Sequence, residues 1–302
     1  MRFALTRSAV GLALTTVVAA SLAAQDTTST KRSLLAADRD LATQLAARGV
    51  AAFFDRVTPD VAMLIPDAPT YQGPDAARAA LLARYPRATT RLQQEAQHAV
   101  VGTDGLFGCT VGVTRLFEGT DMNKETPRYG RYIACWHREA LNKTWALAGY
   151  TRTNDAPNAP MPNADLEHPP HSAVMHIADA AAQLRAAQDA DSAFAAVSPK
   201  AGPGEAFGLW AAADAMMLGG APKPRQGPAA IRDAFKGFPK NGQFEWGPVR
   251  TLGAAGGGLA FTSGEAFNVV NGKRSNTKYI TVWRLEPDGN WRFIFDSGSD
   301  RP

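Results

Sequence analysis

A nine-residue segment occurs twice in this chain, and its recurrence limits the possible folds more than any other feature. QGPDAARAA begins at Gln72 and QGPAAIRDA begins at Gln226, 154 residues later, with six positions identical. Glycine followed by proline is typical of a turn that leads into a helix, because the first helical residue needs no backbone N–H. Residues 131–136 and 278–283 form a second pair of similar segments. The sequence therefore predicts two halves with one order of elements.

The composition is that of a globular protein with sizeable cores. Of the 302 residues, 45% are hydrophobic and 20% are charged, and a chain of this length typically forms two domains. The formal net charge is +4, to which Arg2 and Arg7 contribute two charges. Because the sequence has no run of clustered lysine and arginine, we expect no nucleic-acid partner.

Residues 1–24 have the pattern of a secretory signal peptide. Arg2 and Arg7 precede an uncharged apolar run at residues 9–22, which ends in small residues. A transmembrane anchor is the alternative, but the run is short for a bilayer span. We expect an exported bacterial protein, periplasmic or secreted, with no stable membrane insertion after signal cleavage. The polar residues 26–31 are expected to be disordered.

The order of elements repeats after this segment. Residues 33–154 and residues 173–302 each show two helical patterns, two short strands, a third helix and four long strands. This order predicts an α+β half-barrel in each half, with a curved sheet wrapped around helices. Residues 155–172 are rich in proline and asparagine, and we interpret them as a semi-rigid linker between two domains.

The first helix is expected over residues 33–49. Leu34, Leu41 and Leu45 fall at helical spacing and are expected to face the core. Asp38 is assigned to the polar side, together with the charged residues that follow it. The pattern as a whole is that of an amphipathic helix on the surface of a domain.

A two-residue turn fixes the strand register in the second half. The Asn-Gly pair at residues 271–272 is a strong hairpin signal. It sets Gly264 opposite Tyr279, where an aromatic ring would cover a bare backbone position. It also sets Glu265 opposite Lys278, which predicts a cross-strand ion pair on the surface.

The same register, transferred to the first half, brings the only two cysteines together. Aligning Gly112 and Tyr132 with their counterparts in the second half places Cys109 opposite Cys135. Directly opposed residues lie within reach of a disulfide, and cysteines of exported proteins form disulfides because their environment is oxidising. We therefore expect a disulfide, and a pair of buried reduced thiols is the alternative.

Several motifs resemble one known family. The order of elements is similar to that of the SnoaL-like, nuclear transport factor 2-like superfamily, and in particular to its secreted bacterial branch of unknown function. The match covers nearly the whole mature chain as two copies and is best in the second half. The residues that carry it are the repeated Gln-Gly-Pro-x-Ala-x-Arg, Trp246-Gly-Pro248, the run from Gly258 to Gly264, Tyr279-Ile-Thr-Val-Trp283, Asp288-Gly-Asn-Trp291 and Asp296-Ser-Gly298.

This resemblance implies a specific architecture. Each half would be a cone-shaped half-barrel, with three helices packed on a curved antiparallel sheet and a pocket between them. The two tandem cones would pack sheet to sheet as an intramolecular pseudo-dimer. The superfamily contains isomerases, dehydratases, hydrolases and many non-enzymes, so the fold alone does not decide the function.

Asp296 is the candidate catalytic residue. Steroid isomerases of the superfamily use a pocket carboxylate as a base, and Asp296 is the only carboxylate in the last strand pattern of the second half. The alternative is an acid that caps a turn at the strand end. The first half has Gln93 and Tyr150 at the places of Trp246 and Asp296. We find no carboxylate pair repeated at pocket-facing positions, which weighs against two active sites.

Aromatic and histidine side chains are the candidates for ligand binding, although a structural role is the alternative for each. The set is His98, Tyr132, Tyr150, Tyr279 and Trp283.

No cofactor and no metal site are expected. Three histidines, His168, His171 and His176, lie close together, but their spacing fits no zinc pattern. Phosphate loops, nucleophile elbows and paired Cys-x-x-Cys motifs are absent from the sequence.

Three functional hypotheses follow. The first is an exported tandem protein that binds a small apolar or amphipathic molecule without turning it over. The second is an isomerase, lyase or hydrolase with one active cone around Asp296. The third is a protein-interaction module. The missing repeated acid favours the binding protein over the enzyme.

Overall fold

The computed structural model describes residues 11–121, 126–154, 179–219 and 223–302. The predicted linker at 155–172 and the three clustered histidines lie outside the described residues. The first half of the protein, residues 11–154, consists of helix α1 (Gly11–Arg48), a 3₁₀ helix (Gly49–Asp55), strands β1 (Val57–Leu64) and β2 (Tyr71–Gln72), helix α2 (Pro74–Arg84), and strands β3 (Thr90–Val101), β4 (Phe107–Glu118), β5 (Arg128–His137) and β6 (Ala146–Arg152).

The second half, residues 179–302, repeats this series with one additional helical turn. Its elements are α3 (Ala180–Ala195), α4 (Ser198–Ala201), α5 (Pro203–Trp210), β7 (Ala211–Met217), β8 (Arg225–Gln226), α6 (Gly227–Asp233), β9 (Gln243–Gly256), β10 (Leu259–Val270), β11 (Lys273–Leu285) and β12 (Trp291–Arg301).

Two six-stranded sheets with the same strand order confirm the predicted α+β class. The orders are β2-β1-β6-β5-β4-β3 and β8-β7-β12-β11-β10-β9. Neither sheet is purely antiparallel, because β1 pairs with β6, and β7 with β12, in the parallel direction. The short hairpin β1-β2, which precedes α2, therefore joins the first sheet beside its last long strand, β6. In the same way, the hairpin β7-β8, which precedes α6, joins the second sheet beside β12.

The predicted register is confirmed in both halves. Tyr279 lies opposite Gly264 in the second sheet. In the first sheet Cys109 lies opposite Cys135, with Cα atoms 4.1 Å apart, and their sulfur atoms are bonded. The disulfide thus staples two neighbouring strands in the middle of the sheet.

Helix α1 is longer than predicted. It begins at Gly11 and not at Ser33, so residues 26–31, expected to be disordered, are helical. No glycine or proline interrupts the chain between residues 12 and 48, and alanine and leucine favour helix propagation. The signal peptide at residues 1–24 stays a prediction. Within the described part of the chain, no helix combines the length and hydropathy that a membrane span requires.

The two halves pack through the outer faces of their sheets. Phe107 of β4 stacks on Phe261 of β10, with ring centroids 6.2 Å apart. The Phe261 ring also fits against Gly149, where an added Cβ would come within 2.8 Å of a ring carbon. The disulfide belongs to the same apolar cluster, which draws its members from both halves.

Two buried cations at matching strand positions cross the interface. The Nη1 atom of Arg131 donates to the carbonyl oxygen of Leu218 at 3.0 Å. The Nζ atom of Lys278 donates to the carbonyl oxygens of Ala68 and Asp300. Each cation thus holds the loop that follows the first strand of the opposite half.

The expected surface ion pair between Glu265 and Lys278 is therefore wrong. The two residues are paired in register, but Lys278 is fully buried. The Glu265 carboxylate instead pairs with Arg301 at 2.7 Å. The face that this pattern assigned to solvent is covered by the other half of the protein.

Replacing both cysteines by alanine should lower the free energy of unfolding by about 3 kcal/mol, because the bridge spans 26 residues and restricts the unfolded chain. Urea denaturation monitored by circular dichroism measures the difference. Dithiothreitol should destabilise the natural protein by a similar amount and leave the double variant unaffected. Equal midpoints for the two proteins in oxidising buffer would contradict the prediction.

Candidate functional site

A pocket of about 350 Å³ lies on the concave side of the second sheet, between the strands and the helices of that half. Aromatic side chains form much of its wall, and Trp246 is central among them. The Trp246 ring lies 4.5 Å from the ring of Phe194, 5.2 Å from that of Phe244 and 5.3 Å from that of Phe207, measured between centroids. The wall is therefore a packed cluster whose members hold one another in place.

Asp296 of β12 supplies a carboxyl group to this pocket. Its Oδ2 atom accepts a hydrogen bond from Oγ1 of Thr281 at 2.7 Å, and its side chain is among those that line the pocket. Burial raises the pKa of Asp296 to about 7, and the negative charge of Asp191 adds to the rise. The alternative of an acid at the strand end is wrong, because β12 continues to Arg301.

Tyr279 of β11 brings a hydroxyl group to the same pocket. It donates to Oδ2 of Asp191 at 2.9 Å, and Asp191 lies on α3 with no exposed surface. Burial raises the pKa of Asp191 to about 6, and hydrogen bonding by Tyr279 and Thr262 opposes the rise. Burial also raises the pKa of Tyr279 well above its ordinary value, so this phenol stays protonated.

The first half contains the same arrangement of acid and tyrosine. Asp38 of α1 accepts from the Tyr132 hydroxyl at 2.9 Å and from the Thr110 hydroxyl at 2.5 Å. Nε1 of Trp136 donates to Oγ1 of Thr110 at 3.1 Å. The corresponding contact in the second half runs from Trp283 to Thr262 at 2.8 Å. A buried group of aspartate, tyrosine, threonine and tryptophan is thus present in each cone.

This finding corrects one prediction, because Asp38 does not face solvent. It also shows that a buried carboxylate repeats between the halves, since Asp38 and Asp191 both accept from the matching tyrosine, although Asp191 is not among the residues that line the pocket. The spacing contains the signal: Asp38 comes four residues after Leu34 and three before Leu41, on the buried stripe of the helix. Its charge, and not its position, led to the assignment to the polar side.

Side chains fill the cone of the first half where the second half has its pocket. Tyr150 lies opposite Ala134, as Asp296 lies opposite Thr281, so Tyr150 occupies the predicted place of Asp296. Arg152 lies opposite Tyr132, where the second half has Gly298 opposite Tyr279.

The partner of Tyr150 in this filling is Gln94. Its Oε1 atom accepts from the Tyr150 hydroxyl at 3.4 Å, and its Nε2 atom donates to Asp38 at 3.1 Å. Gln94, and not Gln93, corresponds to Trp246, because both lie opposite matching positions of the next strand. Both strands have an irregular pairing here, and β9 has two more residues between Gly247 and Leu252 than β3 has between Glu95 and His98, so the offset between the halves changes along the strand and hides the correspondence in the sequence.

The predicted ligand-binding residues have different places in the structure. Of this set, Tyr279 lines the pocket. Tyr132 and Tyr150 are fully buried inside the first cone, and Trp283 is fully buried beneath the wall of the second. His98 lies at the bulge of β3, opposite Val111.

The described residues contain no group of three or more histidine, cysteine or acidic side chains arranged to hold a metal ion. The structure adds several polar residues to the site, namely the lining residues Arg225, Asn268, Thr277, Thr281, Ser299 and Asp300, and Asp191, which lies behind Tyr279 and accepts its hydrogen bond. Arg225 comes one residue before the second copy of the repeated segment, where Tyr71 precedes the first copy, so comparison of the two copies does not include it.

Comparison with known proteins shows similarity in structure alone. No family model matches the sequence, and no curated protein matches it. A ketosteroid isomerase-like protein from Erwinia carotovora atroseptica is 17% identical, covers 42% of this chain and 97% of its own, and has a TM-score of 0.36. A nuclear transport factor 2-like superfamily protein from Salmonella enterica is 10% identical, with 44% and 96% covered and a TM-score of 0.36.

A nuclear transport factor 2-like protein of unknown function from Pseudomonas putida is also similar, at 14% identity, with 43% of this chain and 88% of its own covered and a TM-score of 0.35. The strand order and helix placement of each half agree with the fold that the sequence motifs implied.

Replacing Asp296 by asparagine should change how stability depends on pH. The folded protein holds the Asp296 proton more tightly than the unfolded chain, in which the pKa of this group is 3.8. The resulting stabilisation is fully present below pH 3.8 and is lost as pH rises towards about 7. Relative to Asp296→Asn, the natural protein should therefore lose up to roughly 4 kcal/mol of unfolding free energy between these limits. Urea denaturation at several pH values measures it.

Asp233→Asn, on the exposed surface of the same half, is the matched control and should follow the natural protein at every pH. If the unfolding free energies of Asp296→Asn and the natural protein differed by the same amount at every pH, Asp296 would not titrate between these pH limits, and the prediction would be wrong.

Proposed function

We propose that the second half binds a small, mainly apolar molecule in its pocket and holds one polar group of that molecule at Asp296 and Tyr279. The observation that carries the proposal is the pairing of a preformed aromatic wall with a buried, protonatable carboxyl group. Small-molecule pockets commonly have volumes of about 300–1,000 Å³, apolar walls and a few polar groups. The pocket, at about 350 Å³, has these properties.

The wall supplies the affinity in this proposal. Burial of apolar surface contributes about 25 cal/mol per Å². The rings of Trp246, Phe194, Phe207 and Phe244 already contact one another, so little ordering is needed when a ligand enters. A flat ring system or a short apolar chain fits such a surface.

The polar groups supply orientation. With a pKa of about 7, Asp296 is largely protonated in mildly acidic solution, and it then both donates and accepts hydrogen bonds. The Tyr279 hydroxyl donates its hydrogen bond to Asp191, so the Tyr279 oxygen can accept a hydrogen bond from the ligand. A hydroxyl group on the ligand satisfies both residues at once, by accepting from Asp296 and donating to Tyr279.

Filling the pocket should abolish binding of a neutral aromatic probe. Ala234 lines the pocket at the end of α6, and Ala234→Phe places a ring in the cavity. We expect 2-naphthamide to bind the natural protein at one saturable site, and the variant at least tenfold more weakly, in isothermal titration calorimetry. Ala229→Phe, on the exposed face of the same helix, should bind as the natural protein does.

Mass spectrometry of the protein purified without added ligand extends this test, since a resident molecule should be present in the natural protein and missing from Ala234→Phe. Absence of both a resident molecule and saturable probe binding would refute the proposed pocket.

A second candidate function is proton transfer, as in an isomerase or lyase, with Asp296 as the base. One observation favours it: a carboxyl group whose pKa lies near neutrality is suited to general acid–base catalysis. Another weighs against it at neutral pH. The Tyr279 proton points to Asp191, so Tyr279 can stabilise a developing oxyanion only once Asp191, with its pKa of about 6, has taken up a proton of its own.

Exchange of the α-protons of 2-tetralone in deuterated buffer, followed by NMR, separates the two candidates. A base at Asp296 should accelerate exchange above the buffer rate, and Asp296→Asn should lower the acceleration by about 100-fold or more. A binding protein should bind 2-tetralone and leave the exchange rate at that of buffer. Acceleration that persists in Asp296→Asn would exclude Asp296 as the base.

A further inference from the structure

We infer that the ligand of this pocket is an amphipathic anion, with an apolar body and a carboxylate or sulfonate group that Arg225 binds at the pocket mouth. The inference rests on the proposed function and adds the charge class of the ligand. Two observations carry this inference. Arg225 and Asp296 lie in one row of paired residues across the sheet, and the hydrogen-bond donors of Arg225 are unused.

Arg225 and Asp296 lie in one row across the sheet. Asp296 of β12 is paired with Met217 of β7, and Met217 is paired with Arg225 of β8. Paired residues point to the same face of a sheet, and neighbouring strands lie about 4.8 Å apart. The two backbone positions are therefore separated by about 10 Å, and all three side chains line the pocket. A ligand that bridges them has its polar groups at opposite ends.

The guanidinium group of Arg225 has its hydrogen-bond donors unused. Among the described residues, no carboxylate pairs with it, no side chain or carbonyl accepts a hydrogen bond from it, and no aromatic ring lies beneath it. Other arginines of this half are engaged: Arg284 binds Asp214 at 2.8 Å, Arg301 binds Glu265 at 2.7 Å and Arg292 binds Asp288 at 2.8 Å. Arg225 is also partly withdrawn from solvent, so an acceptor inside the pocket would be bound strongly.

One further acid lines the pocket together with Arg225. It is Asp300, and among the described residues no ion pair within 4.0 Å joins it to Arg225. Burial lowers the pKa of the Lys278 amine to about 8, and the negative charges of Asp67 and, to a smaller extent, Asp300 oppose this effect. The mouth therefore keeps a positive group available to a ligand.

The filled cone shows that the scaffold does not require this arginine. Tyr71 stands at the corresponding position, paired with Met63 as Arg225 is paired with Met217. The halves thus differ together: the open cone has the arginine and the carboxyl group, and the filled cone has tyrosines at both places. This joint difference ties Arg225 to the pocket and not to folding.

The chemistry of the site selects a planar anion. Guanidinium groups form paired hydrogen bonds with the two oxygens of a carboxylate or sulfonate, and such charge-assisted bonds are stronger than neutral ones. The aromatic wall between the two ends suits an aromatic or aliphatic acid. A hydroxyl or carbonyl group at the far end of the ligand would meet Asp296.

Two probes of the same shape test the inference. 2-Naphthoate and 2-naphthamide differ in charge, and their affinities are measured by isothermal titration calorimetry at pH 6, where Asp296, with its pKa of about 7, is largely protonated. The natural protein should bind the naphthoate at least tenfold more tightly. Arg225→Gln should bring the ratio of the two affinities close to one by weakening naphthoate binding about tenfold or more, and an unchanged urea midpoint should show that the variant is folded.

Arg274→Gln is the matched control, because Arg274 stacks on Phe267 outside the pocket lining. It should keep the full preference for the naphthoate, and Arg225→Lys should keep a part of it. Equal affinities for the two probes in the natural protein, or a preference that survives in Arg225→Gln, would overturn the inference and leave the proposed pocket intact. If neither probe binds the natural protein, the inference and the proposed pocket both fail.

Discussion

The contact between the outer faces of the two sheets is the constraint on which the rest of the structure depends. Each sheet has apolar residues on both faces, so a single half would expose the surface around Phe107 or Phe261 to water. Packing the halves together removes this surface and buries Arg131 and Lys278, each of which donates to a carbonyl group of the opposite half. Unpaired buried cations would be costly, and the crossing contacts therefore tie the relative position of the halves to the loops that follow β1 and β7.

With the outer faces committed to each other, the inner faces are free to differ. Both cones keep the contact between a helix aspartate and a strand tyrosine, Asp38 with Tyr132 and Asp191 with Tyr279. These bonds join the long helix to the sheet and satisfy groups that would otherwise be buried without partners. Around this shared support, Tyr150 and Arg152 occupy the place in the first cone where the second cone has its pocket. The two halves therefore share the scaffold and differ in the side chains at this place.

The sequence determines the fold well where local chemistry and register act alone. The Asn-Gly turn at 271–272 set the pairing of the second hairpin, and the repeat carried that pairing to Cys109 and Cys135. Prediction from the sequence fails where the other half of the protein changes the environment of a residue. The pattern predicts Lys278 on the surface because its strand face would be exposed to solvent in an isolated domain. The pattern predicts Asp38 on the polar surface because buried carboxylates are rare, although its helical position is that of a core residue.

The site is less predictable than the fold, because it results from differences between two similar halves. Gly298 in place of arginine and Asp296 in place of the larger tyrosine both remove side-chain volume from the last strand. Neither substitution has a local signature, since glycine and aspartate also occur at strand ends and turns. Arg225 is hidden in the same way, one residue before the repeated segment. Only the strand pairing shows that these three positions face one cavity, and the space removed from the last strand is what exposes the acid to a ligand.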